Sequence, residues 1–179
     1  IGRGKYIAQG LTHLDPQMGQ GKAVFDWTYG VHGVEIEVDT ETGELEIINI
    51  SSAFDVGKVI HEGMCRTQVQ GGVLQGLGSA LFEGFRFDER GRMLNPSFVD
   101  YKIPTAKDKP RQMRQHFIET PQLDGPYGAR GVGEHPMISV PSAVGNAIFD
   151  ATGVDIKDLP LTSERVYMAL KAARKAREG

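Results

Sequence analysis

The stretch that most constrains this chain is a helical pattern threaded with glycines. Between Cys65 and Glu83 the apolar residues Val69, Val73, Leu77 and Ala80 recur at helical spacing, yet Gly71, Gly72, Gly76 and Gly78 interrupt the same segment. Each glycine in a helix interior costs about 1 kcal/mol relative to alanine. That cost is offset where the missing side chain lets something approach the backbone closely. Gln68, Gly72, Gln75 and Ser79 fall on a second face, small and amide-bearing. Two readings stay open: a helix packed through its glycines with both glutamines in water, or a helix that turns Gln68 toward a polar ligand.

Ahead of this helix the period changes from 3.6 to 2. Val34, Ile36 and Val38 alternate with Glu35 and Glu37, the turn residues Asp39 to Gly43 follow, and Leu45 to Ile50 return as a second strand. This pattern predicts a half-buried β-hairpin. Residues 1–22 read as an edge strand and loop, Phe85 to Phe87 as a short strand entering a turn, Asp100 to Pro104 as an extended segment, and Phe117 to Glu119 as a strand. Val144, Ala147, Ile148 and Ala151 give an amphipathic helix ending near Thr152 and Gly153. A last helix follows Pro160, with Thr162 or Ser163 as its N-cap and an apolar stripe of Val166, Ala169, Leu170 and Ala173. The fold class is therefore α+β, a mixed or antiparallel sheet with helices packed on it, and residues 1–179 read as one domain.

Composition narrows the chemistry. A net charge of −3 with acids and bases interspersed offers no basic stripe for nucleic acid, and no apolar run reaches the roughly 20 residues a membrane helix needs. A soluble, cytoplasmic protein is the expectation. The single cysteine, Cys65, excludes an internal disulfide framework or a four-cysteine cluster, and the five histidines are scattered without metal-ligand spacing.

The second glycine-rich stretch runs from Gly125 to Pro136 and carries one carboxylate, Glu134, to the expected start of a helix. It reads either as a tight turn with a solvent-facing glutamate or as a rigid loop holding an acid beside a bulky ligand, with Glu134 partly buried among glycines and Val132.

Four motifs in one order carry a resemblance: Val34 to Asp39 with its Thr42-Gly43 turn, Gln68 to Gly78, Tyr101-Lys102-Ile103-Pro104, and Gly128-Ala129-Arg130-Gly131-Val132-Gly133-Glu134. From about residue 23 to 170 the chain resembles the C-terminal part of the molybdenum-binding subunit of the xanthine dehydrogenase and aldehyde oxidase family, the molybdenum hydroxylases. The resemblance implies that Glu134 is the catalytic base. It also implies that Gln68, Gly71 and Gly72 contact the cofactor, and that backbone groups of Arg130, Gly131, Val132 and Gly133 line it. The cofactor so implied is molybdopterin in its cytosine dinucleotide form, with molybdenum held by the pterin dithiolene rather than by protein ligands. A 2Fe-2S centre and FAD are expected on other domains or subunits, which with the remainder of the molybdenum subunit and a small-molecule substrate are the implied partners. The implied reaction hydroxylates an N-heterocycle or aldehyde with water-derived oxygen; a non-catalytic cofactor-binding or assembly module is the competing reading. His135 replaces the proline, alanine or serine usual in the family, and Arg130 a frequent lysine.

Overall fold

The computed structural model describes residues 1–24 and 26–178. Its centre is a three-stranded mixed sheet in the order β1-β2-β3, with β1 (Gly30–Val38) antiparallel to β2 (Leu45–Asp55) and β3 (Gln112–Ile118) parallel to β2. The hairpin expected from the alternation is present. Its turn closes on Asp39, whose carboxylate accepts from the N–H groups of Glu41 and Thr42, while Gly43 takes a φ of 77° that other residues rarely adopt.

The hairpin also holds a bulge that its alternation conceals. Glu35 pairs with Asn49 and Ile36 with Ile47, so Ile48 is an extra residue on β2. The inward phase of β2 slips by one there: Ile47 is buried before it, and Ile50, Ser52 and Phe54 after it. This slip places the Ser52 hydroxyl and the Phe54 ring on the core face, where they meet the residues that matter below.

Helix α1 (Glu62–Leu77) starts three residues earlier than the apolar spacing suggests, because His61 caps it by accepting from Met64 N–H at 3.1 Å. It runs on into a π-helical turn, Gly78–Phe82. Val69, Val73, Leu77 and Ala80 are all buried, as the spacing predicts, and join Ile50, Phe54, Val140, Val144 and Ile148 in one core. What its glycines admit is protein. A Cβ on Gly72 would stand 2.8 Å from Pro136 Cβ, and one on Gly76 would stand 2.6 Å from Val140 Cβ. Gly72 is accordingly buried rather than placed on an open face with Gln68 and Gln75. Gly71 differs, being exposed with nothing within 4 Å of where its Cβ would lie.

Helix α2 (His135–Ile138) is a single turn, and α3 (Val140–Thr152) follows after Ser139 and ends on Gly153 in the left-handed region, φ 74°. Helix α4 (Ser163–Glu178) is capped by Thr162, whose hydroxyl accepts from Arg165 N–H at 3.3 Å, and buries Val166 and Leu170. Three expectations fail. Residues 1–22 contain a turn at Asp15 but no strand, and strand β1 begins only at Gly30. Residues 97–101 fold into a turn, with the N–H groups of Asp100 and Tyr101 both bonding Ser97 O, so Asp100 to Pro104 is not simply extended. Phe87 makes only an isolated bridge to Met93. None of these three segments joins the three-stranded sheet.

Candidate active site

The Gly125–Pro136 loop is laid along the end of β2 by backbone bonds. Arg130 N–H donates to Val56 O at 2.9 Å and Lys58 N–H to Gly128 O at 2.8 Å, around a bridge between Gly57 and Ala129. Gly57 must be glycine here: its φ is 64°, and a Cβ would run into Gly128 O and lie 2.9 Å from Arg130 N. Of the loop's own four glycines only Gly128 takes positive φ, 80°; Tyr127 beside it takes 56°. Gly131 and Gly133 have ordinary backbone angles and nothing within 4 Å of a would-be Cβ. Neither packing nor conformation requires glycine at those two positions, which keep the loop's outer side bare.

Arg130 locks the loop. Its side chain is 11% exposed; its guanidinium pairs with Asp26, donates to Trp27 O at 2.8 Å and Thr120 O at 3.2 Å, and lies 3.7 Å from an Asp55 oxygen. Burial alone would raise the Asp55 pKa, but N–H groups of Gly57 and Thr120 bond the carboxylate and the Arg130 charge faces it, so the net shift is downward. The Arg130 side chain is thus committed to protein, leaving the loop backbone as the part able to meet a ligand.

The loop and α1 face each other across a concavity of about 290 Å³ whose walls include Gln68, Cys65, Met64, Arg130 and Val132. Gln68 is exposed, and its amide has no hydrogen-bond partner among the described residues. Of the residues singled out in the sequence, Gln68, Arg130 and Val132 come together here, with Gly131 and Gly133 on the same loop and Gly71 one helical turn from Gln68. Gly72 does not join them, because Pro136 covers it. Glu134 is the N-cap residue of α2, as its place before Pro136 predicts; it is exposed, however, and its side chain caps nothing. The partial burial expected for it is absent because the flanking glycines offer no wall. A larger concavity, about 440 Å³, lies between α3 and residues 155–161; its one acid–base pair, Asp155 and Lys157, is an exposed ion pair at 2.7 Å, and none of the singled-out residues reaches it. No group of three or more His, Cys, Asp or Glu among the described residues could hold a metal ion.

One member of this region escaped the sequence reading. His32 of β1 is 8% exposed; its Nδ1 lies 2.8 Å from Ser52 Oγ and its Nε2 2.8 Å from Pro136 O. The Phe54 ring stands edge-on between the rings of His32 and His135, with centroids 5.2 and 4.9 Å away. Gly30, opposite Phe54 in the hairpin, leaves the space that the Phe54 ring fills. The available signal was phase: His32 sits two residues before Val34, on the inward side of β1.

Burial lowers the pKa of both histidines; for His32 the Pro136 carbonyl opposes the shift in part, and for His135 the neighbouring His32 adds to it. The unfolded chain, titrating near 6.5, then takes up protons that the native state refuses. The contribution of these two groups to stability is full above about pH 6.5 and is lost as pH falls through the lowered native values. Melting temperatures at pH 7.5 and 5.5 should differ in the wild type and differ less in His32→Gln/His135→Leu. Equal differences would refute the assignment.

A loop with open space beside Gly131 and Gly133 thus faces a helix carrying the exposed Gln68, and leads to the exposed carboxylate of Glu134. Residues 1–110 match the family model described as a molybdopterin cofactor-binding domain. The aldehyde oxidoreductase of Megalodesulfovibrio gigas is 37% identical over 169 residues, covering 94% of this chain, and so includes the Glu134 loop that lies beyond that model. The nicotine 6-hydroxylase large subunit of Paenarthrobacter nicotinovorans is 38% identical over 79% of the chain. The solved aldehyde oxidoreductase of Desulfovibrio gigas superposes on 92% of the chain with a TM-score of 0.85 at 36% identity. The chain spans only 18% of the length of each of these three proteins. It belongs to the molybdopterin cofactor-binding family of the xanthine dehydrogenase and aldehyde oxidoreductase type.

Proposed function

We propose that this chain is the C-terminal cofactor-binding part of a molybdenum-dependent oxidoreductase subunit that hydroxylates an N-heterocycle or an aldehyde. The observation that carries this reading is the concavity that opposes the unpartnered Gln68 amide to the bare loop leading to Glu134. Gly71, Gly131 and Gly133 each leave open space where a Cβ would stand, as a cradle for a flat, bulky group requires. Residues present here fit a pterin: Gln68 has an amide that both donates and accepts, and the 130–133 backbone offers N–H and C=O groups beyond Arg130 N–H, which bonds Val56 O, and Gly131 O, which accepts from Thr28.

When bound, molybdopterin supplies the two-electron redox couple and activates a water-derived oxygen. This chain's own part is narrower. Glu134 accepts a proton from the oxygen that attacks the substrate carbon, a role for which its exposed carboxylate, without an ion pair among the described residues, is free. Gln68 orients the cofactor from the helix side. Overall, a C–H bond is replaced by C–OH using water, and two electrons and two protons leave. The electrons would pass to a 2Fe-2S centre and FAD carried elsewhere, as in an assembly with further subunits. Relatives named as a large subunit and as a dehydrogenase complex subunit agree with such an assembly. No helix among the described residues is long and apolar enough to cross a membrane, and a cytoplasmic location is part of the proposal.

The test is the metal and nucleotide content of the molybdenum subunit that carries this chain, purified with its partners. Stoichiometric molybdenum with CMP released by acid is expected, together with turnover of heterocycles or aldehydes. Absence of molybdenum, in cells that load another molybdenum enzyme, would leave the non-catalytic assembly module as the better reading.

A further inference from the structure

We infer that His32 is a positioning residue for Glu134, holding the turn that carries it by bonding the Pro136 carbonyl. The inference rests on the reading of Glu134 as the base. Its own support is geometric. A carbonyl only accepts, so the ring nitrogen 2.8 Å from Pro136 O carries the proton and donates. That leaves Nδ1 of the neutral ring as an acceptor for the Ser52 hydroxyl, also at 2.8 Å. Ser52 lies directly across the hairpin from His32, so the bulge at Ile48, which turns Ser52 inward, helps set the direction of the imidazole, while the Pro136 carbonyl sets its tautomer.

Pro136 is fixed from two further sides. Its ring lies over Gly72, close enough that a Cβ there would be 2.8 Å away. His135, next to it in sequence, rests its ring against Phe54. The backbone of α2 is therefore held by sheet, helix and imidazole together, and Glu134 is its N-cap residue, with Glu134 O accepting from Met137 N–H at 2.9 Å. Of these contacts only the His32 bond is directional and buried. Proline has no N–H and α2 is one turn long, so the rest of the helix contributes little to fixing the carboxylate.

The experiment compares His32→Leu, His32→Gln and Glu134→Gln in the assembled molybdenum subunit, reading molybdenum content, kcat, KM and hydrogen–deuterium exchange over residues 134–140. Glutamine can still donate to Pro136 O; leucine cannot. His32→Leu is expected to keep its molybdenum, to exchange faster over 134–140, and to lose kcat by up to about 10²-fold, the order of effect of a small misplacement of a reacting group, with KM little changed. His32→Gln should restore both exchange and kcat toward wild type. Wild-type exchange and kcat in His32→Leu, with Glu134→Gln inactive, would overturn the positioning role and leave the base intact. Full turnover in Glu134→Gln would instead remove the base reading, and the exchange rates would still decide whether His32 holds the segment. Should His32→Leu fail to assemble, His32→Asn replaces it, since its shorter amide does not reach Pro136 O: faster 134–140 exchange is expected, and exchange equal to wild type would overturn the inference.

Discussion

Glu134→Gln is expected to lower turnover by about 10²- to 10⁴-fold, the range general-base groups contribute, with molybdenum content at its wild-type level. The structure makes this substitution unusually clean to interpret. The carboxylate is exposed, caps nothing and enters no ion pair among the described residues, so the isosteric amide removes no internal interaction. The turn that positions it is held by Pro136, His32 and Phe54 and does not depend on the side chain. A loss of rate therefore reports on proton transfer, whereas a loss of molybdenum would report on the loop. Measuring kcat per bound molybdenum with a heterocycle and an aldehyde separates the two. An unchanged kcat at full occupancy would return Glu134 to a solvent-facing turn residue.

Most of the fold was legible because its elements follow local periodicity. The alternation from Val34 to Val38, the stripe of Val69, Val73 and Leu77 and the stop at Gly153 need no knowledge of distant residues, and each is where the pattern places it. The candidate site was legible in a different way, through motif order, and the structure adds the concavity joining Gln68 to Val132. What escaped depends on tertiary neighbours. Gly72 looks the same in sequence whether a ligand or Pro136 fills its missing side chain. The bulge at Ile48 is invisible in a run of apolar residues, yet it decides that Ser52 faces His32. The lock formed by the Arg130 side chain has no local signal either, since its partners Asp26, Asp55 and Thr120 come from three separate parts of the chain.

That Arg130 network gives the largest expected effect on stability. Arg130→Ala removes the only cation paired with Asp26 and Asp55 in the ion pairs of the described residues, with all three side chains 11–16% exposed. Breaking a buried ion pair by deleting one partner costs about 3–5 kcal/mol, chiefly because the other charge is left without compensation. Asp55 retains N–H donors from Gly57 and Thr120, so the lower end of that range applies. The same logic sets the sign of a second substitution. Adding Asp26→Asn to Arg130→Ala removes a stranded charge, so the double variant should be less destabilised than the sum of the two single ones. Arg130→Lys should fall between, since one ammonium cannot reach Asp26, Trp27 O and Thr120 O at once. Urea unfolding of the wild type and the four variants in the assembled subunit measures this coupling. Strict additivity would mean that Arg130 and Asp26 do not interact, and the hold of Arg130 on the loop would then rest on Trp27 O, Thr120 O and Asp55, beside the backbone bonds to Val56 and Lys58.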